Sequence, residues 1–138
     1  MVGDPASLLQ ELIARARNLM QQGNWRDAET VLVDGLQRHR DSVDLLRLLG
    51  TLHHLAGRHV EAIAYLQRAL ERAPDDVRAQ LNLGAALLSM GRLTEAQDAF
   101  SAVLVAQPAL EDAHLNLALV LQRRGQMAAA AEHFQIVL

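Results

Sequence analysis

The chain has no cysteine and no lysine; all thirteen of its basic residues are arginine. Without cysteine there are no disulfides, no thiolate metal sites and no cysteine nucleophile. Aromatic residues are scarce: two Phe, one Tyr and one Trp among 138 residues. A β-rich domain carries more aromatic and β-branched side chains. Only three prolines interrupt the chain. No run reaches the roughly 18 consecutive apolar residues of a membrane helix. Met1 to Ser7 lack the basic-then-apolar order of a secretory signal. The net charge is only −3, and no basic run is interleaved with aromatics, so nucleic acid is not an expected partner. What remains is a hydrophobic content of 51%, made largely of Leu and Ala, which are strong helix formers. The expectation is an all-α domain, cytoplasmic, with no membrane and no nucleic acid among its partners.

The sequence repeats. Gly23, Gly57, Gly91 and Gly125 recur at a constant interval, and so define a 34-residue period. Five residues after each comes an alanine: Ala28, Ala62, Ala96 and Ala130. Thirteen after each comes a leucine: Leu36, Leu70, Leu104 and Leu138. Seven before each stands a small residue: Ala16, Gly50, Gly84 and Ala118. In the third unit, Leu81, Gly84, Ala85 and Leu88 recur at three- and four-residue spacing, as one helical stripe does. Gly91 ends that helix, because glycine tolerates the left-handed conformation of a helix C-terminus. Leu93, Ala96, Ala99, Phe100, Val103 and Leu104 form a second stripe, and Pro108 blocks its continuation. Small residues at Gly84 and Ala96 let the two helices approach closely, with Phe100 filling the space further along. Each unit is thus a helix hairpin with apolar faces on more than one side, which it buries by stacking on the next.

This reading predicts eight helices, over about 6–22, 25–38, 43–56, 59–72, 77–90, 93–106, 111–124 and 127–138. Asp41-Ser42 and Asp75-Asp76 read as helix-start signals. The chain is expected to be a single array of four repeats, about 9–42, 43–76, 77–110 and 111–138, without a linker.

The 34-residue unit resembles the tetratricopeptide repeat. Counted from Val77, the third unit supplies Leu83, Gly84, Leu87, Ala96, Phe100, Val103 and Pro108 at that family's signature positions. Counted from Val43, the second supplies Leu46, Leu49, Gly50, Ala62, Leu66, Ala69 and Pro74. The fourth has His114, Leu117, Ala118, Leu121, Ala130 and Phe134, and the first, starting near Leu9 and more divergent, has Leu12, Arg15, Ala16, Leu19, Ala28 and Leu32. The resemblance covers residues 9 to 138. It implies a right-handed superhelical solenoid of stacked helix-turn-helix hairpins whose concave groove binds a peptide or a partner protein.

In that family the first helix of each hairpin lines the groove. Carried over residue by residue, the groove comprises Arg17 and Gln21 from the first unit, and Asp44, Arg47, Thr51 and His54 from the second. The third adds Arg78, Asn82, Ala85 and Ser89, and the fourth Asp112, Asn116, Leu119 and Gln122. Asn82 and Asn116 stand one repeat apart, and an amide offers both donor and acceptor to a peptide backbone; some arrays of the family, including the arm of the O-linked N-acetylglucosamine transferases, look built this way. Arg17, Arg47 and Arg78 would make a positive strip for carboxylates, or else are solvated charges, some paired with Asp44 or Asp112. At the positions of the family's clamp for acidic chaperone tails stand Ile13, Arg17, Leu48, Arg78 and Asn82; only part of this set matches, so such tails are expected to bind weakly or not at all.

Chemistry is not expected. His53 and His54 are adjacent and diverge on a helix; either would approach His59 across the turn, but no carboxylate or second histidine stands at the three- or four-residue spacing of helical metal sites. There is no phosphate-binding glycine loop and no nucleophile elbow. No catalytic residue, metal or cofactor is therefore assigned. Trp25 reads as a packing residue. The last predicted helix carries Met127, Ala130, Ala131, Phe134, Val137 and Leu138 with no capping helix after it. Its apolar surface would then be covered by further chain or by self-association. The leading function is a protein-protein interaction module. The alternative is the substrate-selecting arm of a larger enzyme, such as a glycosyltransferase or sulfotransferase.

Overall fold

The computed structural model describes residues 4–138. Among them are eight helices and no strand: α1 (Pro5–Gln21), α2 (Trp25–Arg38), α3 (Val43–Leu55), α4 (His59–Arg72), α5 (Val77–Ser89), α6 (Leu93–Ala106), α7 (Glu111–Arg123) and α8 (Met127–Val137). The elements and their order are those read from the repeat period, with boundaries agreeing to within a residue or so.

Local chemistry sets where the helices begin and end. Three of the four hairpins open on a side-chain cap: Asp4 accepts from the Ser7 amide, Ser42 from that of Leu45, and Asp76 from that of Ala79. These bonds satisfy backbone donors that a first helical turn leaves orphaned. Within every hairpin the first helix closes on a left-handed glycine, with φ of 76° at Gly23, 81° at Gly57, 73° at Gly91 and 79° at Gly125. At each one the glycine amide and the next amide turn back to carbonyls of the last turn; at the third, Gly91 N–H donates to Leu88 O at 3.0 Å and Arg92 N–H to Leu87 O at 2.9 Å. This is a Schellman closure. It recurs with the same period as the glycines.

The chain divides into two compact units, Met1–Pro74 and Asp75–Leu138. In the first, α1 packs on α2 and α3 on α4, and the hairpins join through α2 against α3. Their shared core gathers Ile13, Ala16, Ala28, Leu32, Leu45, Leu48, Leu49 and Leu52, with Trp25 and Tyr65 partly buried at its margin. Trp25 is thus a packing residue, as its place in the repeat suggested. In the second unit, α5 packs on α6, α6 on α7 and α7 on α8. Phe100 and Val120 are fully enclosed there, with Leu83, Leu87, Val103, Leu117 and Leu121 nearly so. Burying a side chain of this size stabilises by roughly 1.5–3 kcal/mol.

The close approach within a hairpin is made by glycine. A β-carbon at Gly50 would stand 2.5 Å from Leu66 Cγ, and one at Gly84 would stand 2.7 Å from Phe100 Cε1. The two pairs have the same separation along the chain and occupy the same register of successive repeats. Phe100 therefore lies directly over Gly84, rather than further along the hairpin.

Candidate functional site

The predicted groove residues lie on the first helix of each hairpin, and within each unit those first helices touch: α1 with α3, and α5 with α7. In the first unit Arg17 is exposed on α1. Arg47 is buried, 9% exposed, and its Nη2 meets Asp44 Oδ1 at 2.9 Å. It is therefore not a free anion-binding arm; it pairs with Asp44, as the alternative reading allowed, but is buried rather than solvated. Thr51 turns inward on its own helix, its Oγ1 donating to Arg47 O at 3.0 Å. His54, half-buried in the last turn of α3, faces His59 at the start of α4 with their Nδ1 atoms 3.1 Å apart.

In the second unit Arg78 and Ser89 are exposed at the two ends of α5, and Asn82 is half-buried between them. On α7, Asn116 donates from Nδ2 to Asp112 O at 2.8 Å, a bond along its own helix that leaves the amide oxygen directed elsewhere. Leu119 is 37% exposed and Gln122 is exposed one turn on. Residues 82, 85 and 89 share one helical face, as do 116 and 119. Asn82, Ala85, Ser89, Asn116, Leu119 and Gln122 carry no charge, so this unit offers a neutral strip of amides, hydroxyl and leucine, flanked at the starts of the two helices by the exposed charges of Arg78 and Asp112. Two arginines tie α7 in place: Arg123 Nη1 donates to Leu88 O at 3.1 Å, and Arg124 Nη1 to Gln97 Oε1 at 2.6 Å.

An open cleft of about 420 Å³ lies between α1 and α2, lined in part by Glu11, Arg15, Asp34 and Arg38. None of the groove residues lines it, and its charges alternate in sign.

Histidine chemistry is richer than the sequence suggested. His53, 5% exposed, accepts at Nδ1 from Arg58 Nε–H at 2.8 Å. Arg58 in turn reaches Glu29 Oε2 at 3.1 Å, and His53 stacks on Tyr65 with ring centroids 5.3 Å apart. Because Nδ1 accepts, the neutral ring carries its proton on Nε2, which faces Glu29 Oε1 at 3.7 Å. Burial, helped by the Arg58 cation, holds the His53 pKa below its usual value of 6.5, against the pull of Glu29 and Glu61. His54 is lowered too, by burial and then by His59.

His114 and His133 meet across α7 and α8 with Nδ1 atoms 2.9 Å apart. His114 Nε2 lies 2.7 Å from Pro108 O. A carbonyl only accepts, so Nε2 carries the proton, the Nδ1 of neutral His114 is a bare lone pair, and His133 must donate from Nδ1. The His133 pKa is lowered, first by burial and then by His114, with Glu132 opposing. No spacing signal in the sequence announces this pair, whose members stand on two different helices. The approach of His54 to His59, in contrast, was legible from the short turn between them. Among the described residues no three His, Cys, Asp or Glu side chains gather as a metal cluster. Likewise no described helix is long and apolar enough to cross a membrane.

No curated protein matches the chain by sequence. Among solved structures it is similar to MamA residues 41 to the end from Desulfovibrio magneticus RS-1, with 23% identity, a TM-score of 0.86, and coverage of 94% of this chain and 73% of that one. MamA from AMB-1 gives 22% identity and a TM-score of 0.83 over 94% of this chain and 76% of that one. At that identity the likeness speaks for the fold alone. A Thermobaculum terrenum O-GlcNAc transferase mutant is 26% identical with a TM-score of 0.81, covering 88% of this chain but 23% of that one. Family models described as tetratricopeptide repeat match residues 13–77, 53–110 and 112–135, the same span over which the glycine period and the hairpins run. The chain belongs to the tetratricopeptide repeat family.

Proposed function

We propose that the chain is a non-catalytic protein-interaction module whose first helices receive an extended or helical segment of a partner protein. Proteins of this family bind protein partners. The observation that carries the finer reading is the neutral strip on α5 and α7: Asn82, Ser89, Asn116 and Gln122 with Leu119 among them, on helices whose C-terminal ends Arg123 links through Leu88 O. Amides and hydroxyls in a fixed row suit the donors and acceptors of a peptide backbone, and an exposed leucine suits one apolar side chain. The first unit's contribution is narrower than the sequence reading, since Arg47 is committed to Asp44. We keep Arg17, Arg78, Thr51 and His54 as flanking contacts and keep the cytoplasmic location expected from the sequence. The four repeats are taken as one array because the glycine period runs unbroken through Pro74 and Asp75.

A peptide-array screen, followed by fluorescence anisotropy on the best sequences, tests the reading. Asn116→Ala and Leu119→Glu should each weaken binding about tenfold or more, the scale of a lost interface contact of roughly 1.4 kcal/mol. Val105→Glu, on α6 and 85% exposed, should not. Equal loss from all three, or from none, rejects the strip. Met127 and Ile136, both exposed on α8, are where two copies of the chain would meet. Ile136→Glu would then lower the mass measured by light scattering, and an unchanged mass removes that part of the proposal.

The likeness to the O-GlcNAc transferase favours a second reading, in which the chain is the substrate-selecting arm of a larger enzyme. The open reading frame around this segment decides it: a catalytic domain in the same frame supports the arm, and its absence leaves the free-standing module.

A further inference from the structure

The molecule contains two histidine pairs joined through Nδ1, and they differ in kind. Between α7 and α8 the nitrogens are 2.9 Å apart and the ring centroids 5.2 Å apart. In the α3–α4 turn the nitrogens of His54 and His59 are farther apart, 3.1 Å, yet the centroids are nearer, 5.0 Å, with the rings tilted by 52°. A wider nitrogen gap with closer centroids means that these rings are bent about their nitrogens. Their lone pairs therefore depart further from the N···N line than those of the α7–α8 pair. The α7–α8 pair has the straighter geometry of one N–H···N bond, and Pro108 fixes its direction. The turn pair is only half-buried, and neither of its Nε2 atoms has a protein partner among the described residues.

The backbone beneath the turn pair is held. Gly57, at φ 81°, sits between the two histidines. Its amide donates to His54 O at 3.0 Å, and that of Arg58 donates to His53 O at 2.8 Å. The neighbouring His53 is engaged by Arg58 and Tyr65 and stays out of the pair. Two half-buried imidazoles thus face each other across a turn closed by these backbone bonds.

We propose that His54 and His59 form a two-nitrogen chelate for a divalent transition-metal ion, with water completing its coordination. Two metal–nitrogen bonds of about 2.0–2.1 Å closed over this gap meet at roughly 95–100°. That angle is near the cis angle of octahedral and tetragonal ions and short of the tetrahedral one, so Ni²⁺ and Cu²⁺ fit better than Zn²⁺. In the neutral pair one ring carries its proton on Nδ1. On binding, both Nδ1 lone pairs go to the ion, and that proton passes through solvent to Nε2 of the same ring. No proton is released and no charge is left on the imidazoles. With two protein ligands the site is an open chelate that exchanges its ion, not a structural metal centre. The inference stands on the turn and does not depend on the peptide-binding reading.

Calorimetric titration of Ni²⁺ into the untagged full chain, in a non-coordinating buffer, tests it. One site is expected. His54→Gln and His59→Gln should each weaken it by at least about tenfold, as loss of a ligand does more than loss of an outer-shell partner. His133→Gln should leave it unchanged. A parent that binds no tighter than His59→Gln overturns the proposal and makes the pair a hydrogen bond only. Loss in His133→Gln instead moves the site to α7–α8 and equally overturns it. Nuclear magnetic resonance of the parent gives a check that needs no variant: paramagnetic Ni²⁺ should broaden the His54 and His59 ring protons first. Broadening that begins at other histidines rejects the assignment.

Discussion

The ring of Phe100 occupies the space that a side chain at position 84 would need: Cε1 lies 2.7 Å and Cζ 2.8 Å from the place of a β-carbon on Gly84. Phe100 is fully buried, so its ring shifts only by displacing the side chains packed around it. Gly84→Ala gains helix propensity of about 1 kcal/mol but overpacks the hairpin by about 1–3 kcal/mol. We expect a net loss of roughly 1 kcal/mol, read as a lower urea midpoint at unchanged slope. Phe100→Leu relieves the clash, so the double variant should lose less than the two single variants summed. Additive losses would show that the ring is not what glycine makes room for.

Gly91 is retained for a different reason. Nothing lies within 4 Å of the place of its β-carbon, but its φ is 73°. Gly91→Ala should cost about 1–2 kcal/mol through backbone conformation alone. Because no packing is involved, changing Phe100 should leave that cost unaltered. Thermal melts of Gly91→Ala with and without Phe100→Leu check this.

Arg58 supplies the donor that buried His53 needs at Nδ1. Arg58→Met keeps the aliphatic stem but orphans that nitrogen, and a buried acceptor without a partner costs about 1–3 kcal/mol. Glu29→Gln, which touches Arg58 at a partly exposed position, should cost well under about 1 kcal/mol. Equal losses in chemical denaturation would mean that the outer ion pair, and not the Arg58–His53 bond, carries the stability.

Stability should fall as the pH is lowered through 6.5, the ordinary histidine value. The His133 pKa is below that value in the folded chain, so the unfolded chain takes up the proton first and unfolding is favoured. The loss begins near 6.5 and levels off once the pH is below the folded value. Within the pair, His133 has Nε2 to receive a proton while Nδ1 still donates to His114. The melting temperature measured from about pH 7.5 to 5 should therefore decline, and His133→Gln should reduce the decline. A variant with the parent's full pH dependence would assign the effect to other groups.

The glycine period and the apolar stripes were enough to place every helix and hairpin turn of the described residues, and the polar pairs Asp41-Ser42 and Asp75-Asp76 marked two of the three observed caps, at Ser42 and Asp76. Those features are local: a glycine at positive φ, an oxygen three residues before an orphan amide, and a stripe at helical spacing act within one or two turns of chain. The groove was legible as a set of positions but not as a surface. Arg47 stands where the repeat puts an inward-facing residue, and its pairing with Asp44, three residues back on the same helix, was among the readings of the sequence, yet its burial depends on how neighbouring side chains close over it. The contacts of Arg58 with Glu29 and of His114 with His133 join side chains far apart in the chain and carry no sequence signal. Helical periodicity says which face a residue is on and not which residue of the next helix it meets. By itself the sequence determined the repeat, its hairpins and the residues that end them. Only the tertiary structure decided which polar groups of neighbouring helices engage one another, because that depends on side-chain distances between helices, set by packing and not by spacing along the chain.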